Sequence, residues 1–381
     1  MRVKLVFILL VIIGHLASGQ KLISQSEHVE LFQQQSTDSL VTLNSSNTIT
    51  ALAIKSESEG VFKLVLGEEE RMIPRDPDVD DPTYFISLEN PTKEIILLVR
   101  EGIDFDIYLI ASSQPPAFSP DQFRNSQSNE CNDPPPAVPQ STWRSGLPEP
   151  NYTRSFHEVF HNVIHHSAGS NTNTNYTQVV RDIYLYHTEV NGWSDIGYNY
   201  LIAQNGTLYT GRDPGNGSQD NVRGAHFCGA NSGTLGICLL GNYETATVTA
   251  STWETLESLV TFELLDQGRD PFDSFNHSLG SLGTIVGHRD GCATLCPGEN
   301  VYNQLMTFKS TVDAKMQECI EPELLTIKTD TTLVKVAETV VYQAQGDYEE
   351  FEWILPGALP RTWRGESVSA TYAVPGTMTS H

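Results

Sequence analysis

Gly287-His288-Arg289-Asp290-Gly291-Cys292-Ala293-Thr294-Leu295-Cys296-Pro297-Gly298 is the stretch from which the rest of the chain can be read. It follows the apolar run Leu282 to Val286, so it reads as a strand running into a tight loop that carries nitrogen and sulfur ligands. Two such ligands do not make a metal site. The source of a third is Ile164-His165-His166-Ser167-Ala168, which closes a second apolar run through Val159, Phe160, Val163 and Ile164. A strand-end His, a loop His and a loop Cys form a three-ligand zinc set with the fourth position open to water. That is the catalytic rather than the structural arrangement.

Working outward, further motifs stand in fixed order: Gly192-Trp193-Ser194-Asp195-Ile196-Gly197-Tyr198-Asn199-Tyr200, Tyr209-Thr210-Gly211-Arg212-Asp213, Gly224-Ala225-His226, and Leu235-Gly236-Ile237-Cys238-Leu239-Leu240-Gly241-Asn242-Tyr243. With the two stretches above, they make residues 141–320 resemble peptidoglycan recognition proteins, and among these the type 2 N-acetylmuramoyl-L-alanine amidases. The resemblance implies a zinc hydrolase that cleaves the amide between N-acetylmuramic acid and L-alanine in bacterial peptidoglycan. The alternative within the same family is a non-catalytic receptor that uses the same groove.

Roles carry over residue by residue. The resemblance implies His165 (the first of the pair), His288 and Cys296 as Zn2+ ligands, and strand alternation sets His166 on the opposite face from His165. In sensor-only members the set is typically broken at the position of Cys296, which is intact here. Tyr198 matches the catalytic Tyr whose hydroxyl meets the reacting water, and Thr294 stands where the scissile carbonyl is oriented. His226, Arg223 and Asn231 are the candidate substrate contacts, Arg223 for a peptide carboxylate. Cys238 stands where recycling amidases of the wider group carry a Glu base, which favours a Tyr/Thr form of the mechanism. Asp213-Pro214 follows Gly211-Arg212 where members preferring diaminopimelate have Gly-Trp. His157, His161, His187 and His277 have no motif partner and are expected at the surface or satisfied in the core.

The flanks read differently. Residues 1–19 combine Arg2 and Lys4, an apolar run from Leu5 to Ile13 and a small-residue exit at Ala17-Ser18-Gly19, the pattern of a cleavable secretory signal. That run is too short to span a bilayer. Residues 20–113 alternate short apolar runs with Glu, Asp, Gly and Pro clusters, which predicts a small all-β domain of sandwich type serving as a spacer, or less favourably as a wall-binding accessory. Residues 114–140 are a Pro-rich linker, and Trp143 belongs to a lead-in that packs on the next domain. Residues 324–381 return to strand-like alternation and resemble a polycystic-kidney-disease-type (PKD) β-sandwich that looks truncated.

For 141–320 the expected fold is an α/β core, a mixed sheet with flanking helices. Its helices fall at Tyr176 to Val190, after a capping box Ser251-Thr252-Trp253-Glu254, and over Asn300 to Cys319. The net charge of −24 argues against nucleic acid as a partner. A monomer, secreted or held at the cell envelope, is expected to act on peptidoglycan glycan and stem peptide. With Cys296 as a ligand, five of six cysteines remain. Cys228 and Cys238 are expected to pair across a turn-rich loop, with Cys319 tied to Cys292 or Cys131. Six Asn-X-Ser/Thr sites, at Asn44, Asn151, Asn175, Asn205, Asn216 and Asn276, matter in a eukaryotic secretory route.

Overall fold

The computed structural model describes residues 20–35, 39–76, 79, 81–100, 102–113, 117–118 and 133–319, with strand segments at 328–329, 339–343, 352–354, 358–359, 362–365 and 367–372. The signal sequence, Cys131 and most of the Pro-rich linker lie outside the described residues.

Seven strands open the chain: β1 (Gln20–Gln25), β2 (Val29–Gln35), β3 (Leu40–Ser56), β4 (Phe62–Leu66), β5 (Glu69–Met72), β6 (Thr83–Val99) and β7 (Asp104–Ile110). They form one antiparallel sheet in the order β1-β2-β7-β3-β6-β4-β5 rather than the two sheets expected of a sandwich. The reason lies in β3 and β6, each 17 residues long, which stay paired across register shifts near Asn44, Ile49 and Ala51 where short runs had suggested separate strands. Because side chains alternate between faces, Leu52, Ile54, Ile86 and Leu97 enter the domain's own core. Ala51, Ala53, Val29 and Ile110 instead join a cluster with Val179, Ile183 and Tyr184 of the following fold.

Through that shared cluster the sheet packs on the following fold. Beside it, the fully buried carboxylate of Asp182 accepts hydrogen bonds from Thr50 Oγ1 at 2.6 Å and from Ser87 Oγ and Ser112 Oγ, each at 2.5 Å. Arg181 donates to the backbone carbonyls of Ser112 and Trp143. A buried carboxylate left without these donors would cost several kcal/mol, so the sheet and the helix it docks on are held in one relative placement.

The second fold is a six-stranded sheet in the order β15-β9-β12-β10-β11-β8, built from β8 (Ala137–Val138), β9 (His161–His166), β10 (Tyr200–Ile202), β11 (Leu208–Thr210), β12 (Thr234–Leu239) and β15 (Ile285–Gly287), with the hairpin β13 (Ser274–His277) and β14 (Gly280–Gly283) beside it. Strands β15, β9, β12 and β10 run parallel and β11 antiparallel to β10, the expected mixed sheet. β9 and β12 are buried at every position, as parallel strands covered on both faces must be. Helix α1 (Gln140–Trp143) and α2 (Tyr176–Leu185) lie against one core cluster, and α3 (Ala250–Asp266), α4 (Glu299–Tyr302) and α5 (Leu305–Cys319) against the other. α2 ends in a π turn over Tyr186–Val190. α3 begins earlier than the Ser251 box: Thr249 is its N-cap and accepts from Thr252 N, because its extended backbone frees the side chain to reach that donor.

The disulfide expectation is also corrected. Cys228 bonds to Cys292, 64 residues away, and Cys238 is buried in β12 outside any disulfide. Cys228 sits in a loop that packs beside the ligand loop, whereas Cys238 is pinned within a strand. Cys319 is itself disulfide-bonded. In the chain-entropy model a closed loop of this length contributes about 4 kcal/mol. Cys228→Ser is therefore expected to lower unfolding free energy by about that amount in denaturant titration. A loss under about 1 kcal/mol would show that the loops hold each other without the bond.

In the C-terminal unit, residues 317–381, the described strands pair antiparallel: Thr339–Gln343 with Ser367–Tyr372, and Glu352–Ile354 with Thr362–Arg364.

Candidate metal centre

The site forms at the carboxyl ends of the parallel strands, where open α/β sheets place their ligands. β9 ends on His165 and His166, and β15 runs directly into a short 3-10 turn that begins with His288. The loop after that turn returns Cys296 to the same place. The ligand atoms of His165, His288 and Cys296 all lie within 4.8 Å of one another, and all three residues are buried. Cys296 Sγ lies 3.7 Å from His165 Nδ1 and accepts the backbone N–H of His166 at 3.3 Å, a donor that favours a negatively charged sulfur.

Burial sets the protonation of the imidazoles. Desolvation, then the neighbouring imidazoles, hold His165 well below the usual histidine range, and desolvation first of all takes His288 down to about 3. Both are neutral at physiological pH. Two neutral imidazoles and a cysteine sulfur, convergent and buried, are the donor chemistry that suits zinc. His166 faces elsewhere, and its Nδ1 accepts from Tyr243 N at 3.1 Å.

A hydrogen-bond relay behind His165 fixes which of its nitrogens faces the sulfur. Thr234 Oγ1 donates to Asn231 O at 3.0 Å, so toward His226 Nε2, at 3.4 Å, it serves as acceptor. His226 Nε2 then carries the proton and its Nδ1 accepts from His165 Nε2 at 3.0 Å. That leaves the His165 Nδ1 lone pair on the Cys296 side, the tautomer a metal ligand needs. Gly236 makes room for the relay: a Cβ there would sit 2.5 Å from the His226 ring.

His226 and Asn231, expected as substrate contacts, thus differ in placement. His226 is only 2% exposed beneath His165, and Asn231 Oδ1 accepts from His226 N and Phe227 N to hold the loop. Polar side chains that read as groove residues are drawn inward by partners the local sequence does not reveal. His226→Ala is expected to lower zinc affinity about ten- to a hundredfold, the usual loss for a removed outer partner. Competition with a calibrated chelator measures this, and an unchanged affinity would reduce His226 to packing.

Tyr198 packs its ring 5.2 Å from that of His165 and 5.7 Å from that of His187, and lines the same cavity as Cys296. Thr294 Oγ1 accepts from Cys296 N at 3.0 Å, so it braces the ligand loop while its own hydroxyl hydrogen stays available to donate. Arg223 is exposed and is not among the residues lining this cavity. His157, His161 and His277 each bond a backbone carbonyl. His187, by contrast, lines the cavity and accepts from Gly197 N, with burial taking it down to about 3. Cys238 pairs in register with His165 and lies in the apolar cluster that includes Tyr198, so no carboxylate stands at that position.

The cavity has lining residues that sequence reading missed: Pro74, Arg75, Asp76 and Phe85, all from the N-terminal sheet domain. No motif signals them, since they come from a segment at least 80 residues before His165.

The family model described as N-acetylmuramoyl-L-alanine amidase matches residues 156–299. Peptidoglycan-recognition protein SC2 of Drosophila melanogaster is 35% identical over 150 residues, covering 39% of this chain and 73% of that protein. Peptidoglycan recognition protein 1 of Mus musculus is 31% identical over 175 residues, covering 45% and 87%. The N-acetylmuramoyl-L-alanine amidase of Homo sapiens is 30% identical over 132 residues, covering 34% of this chain and 20% of its own length.

Proposed function

The chain belongs to the peptidoglycan recognition protein and type 2 amidase family, and from that premise we propose that it is a secreted zinc-dependent N-acetylmuramoyl-L-alanine amidase acting on bacterial peptidoglycan. The observation that carries this reading is the convergence of His165, His288 and Cys296, with Tyr198 packed against His165 and lining a cavity beside Cys296. A receptor needs the groove but has no use for a complete ligand set held in the correct tautomer.

Zinc held by His165, His288 and Cys296 would supply Lewis acidity at the scissile carbonyl and make water a better nucleophile. The remaining tasks fall to the chain. Tyr198 positions the attacking water through its hydroxyl, and Thr294 donates to the carbonyl oxygen as negative charge develops there. Water adds to the lactyl carbonyl carbon, the C–N bond breaks, and a proton given up by that water leaves on the L-alanine nitrogen, so that a carboxylic acid and a free amine result. His226 and Thr234 keep His165 oriented throughout.

Among the described residues no helix is long and apolar enough to cross a membrane. The antiparallel pairing within residues 328–372 supports reading the tail as a PKD-like β domain.

Zymography on purified cell wall, with and without a chelator, tests the activity. Lysis with new alanine amino termini, abolished by chelation and restored by zinc, is expected. Binding to the wall with no release of amino termini would replace the enzyme with the receptor.

A further inference from the structure

We propose that the N-terminal sheet domain forms one wall of the substrate groove and that Arg75 on that wall binds a carboxylate of the stem peptide. The inference rests on muramyl peptides being the ligand. It concerns a part of the chain that lies outside the family match at residues 156–299.

The cavity beside Cys296 is lined by His166 and Tyr198 and also by Arg75, Asp76 and Phe85. A substrate that reaches the triad through this cavity therefore passes residues of both domains. The wall is built in rather than laid against the site. The Phe85 and Tyr186 rings stack with centroids 4.3 Å apart at 17°, and Tyr186 Oη donates to Asp76 Oδ2 at 2.5 Å. Tyr186 begins the π turn that closes α2, so the catalytic fold itself anchors the segment carrying Arg75.

Charge selects the part of the substrate. Arg75 is the cation among the residues lining this cavity. The carboxylates of a muramyl peptide are on its stem peptide, while the glycan is neutral, so the peptide is the arm that gains from passing Arg75. Arg75 donates Nη1 to Asp76 O at 3.0 Å and Nη2 to Val79 O at 3.5 Å, and its ion pair is with Glu59, Nε to Oε1 at 2.9 Å, whose side chain is 68% exposed. An ion pair so open to water is weak, and a ligand carboxylate can compete for the guanidinium.

Binding is measured on the full chain carrying Tyr198→Phe, which suppresses turnover. The probes are a muramyl tripeptide with free carboxylates, the same peptide fully amidated, and an N-acetylglucosamine tetramer. Adding Arg75→Ala is expected to weaken the free-acid peptide about tenfold and to leave the other two unchanged. Adding Glu59→Gln instead is expected to tighten the free-acid peptide, because it removes the side-chain carboxylate that competes with the ligand for the guanidinium. A merely structural role for Arg75 would make both variants bind less well. Equal loss on all three probes, or no change on the free acid, overturns the inference while leaving the amidase reading intact. Failure of the parent protein to bind any muramyl peptide would overturn both.

Discussion

Replacing Cys296 by Ser is expected to strip the chain of zinc and of turnover together. A thiolate is a strong zinc ligand, and the neutral hydroxyl that takes its place is a poor one. Loss of a partner that merely orients a ligand costs about ten- to a hundredfold in metal affinity, so loss of the ligand itself should exceed about a hundredfold. The fold should survive, because the loop is held independently by the Cys228–Cys292 disulfide and by Thr294 Oγ1 at the backbone of residue 296. Elemental analysis after gel filtration should find close to one zinc per wild-type chain and little in the variant. Added zinc should raise the melting temperature of the wild type alone, since only a ligand bound to the native state stabilises it. A variant that keeps stoichiometric zinc would remove Cys296 from the ligand set.

The readability of this chain divides along the length scale of its interactions. His165, His288 and Cys296 stand in motifs whose residue types and strand-end positions imply convergence, and those are the side chains the structure brings together. The mixed sheet was legible for a similar reason, since Leu235 to Leu239 is an apolar run of the kind buried on both faces. The disulfide was not. Local turn chemistry favoured Cys228 with Cys238, but pairing was decided by two loops meeting at the end of the sheet, which proximity in sequence cannot report.

Domain docking escaped for a subtler reason. Ala51 and Ala53 alternate with Leu52 and Ile54, and a strand with one small-residue face looks the same whether that face meets solvent or another domain. Here it meets α2. The same docking brings Arg75 and Phe85 to the cavity, and no feature of residues 69–90 announces it. His226 marks the middle ground: its motif pointed to the right region of the fold, but only the positions of Thr234, Asn231 and the bare Gly236 turn its ring beneath His165.

Tyr198→Phe is expected to separate chemistry from metal binding. The ring packs among His165, His187 and the core cluster that includes Leu201 and Cys238, and phenylalanine preserves those contacts. Zinc content and melting temperature should therefore remain close to those of the wild type. Only the hydroxyl is lost, and with it the hydrogen bond that positions the reacting water. One such preorganised bond is worth about 3 kcal/mol in the transition state, or about a hundredfold in turnover. The loss should fall on kcat rather than on the affinity for muramyl peptide, because the bond strengthens as charge develops on the water and carbonyl. Thr294→Val should lower turnover too, but with a second signature: it also removes the acceptor for Cys296 N, so its zinc affinity should slip where that of Tyr198→Phe does not. Steady-state kinetics paired with metal analysis on both variants distinguishes these outcomes. If Tyr198→Phe retained full turnover, Tyr198 would be a core aromatic beside the site, and the positioning of water would have to come from another group lining the cavity.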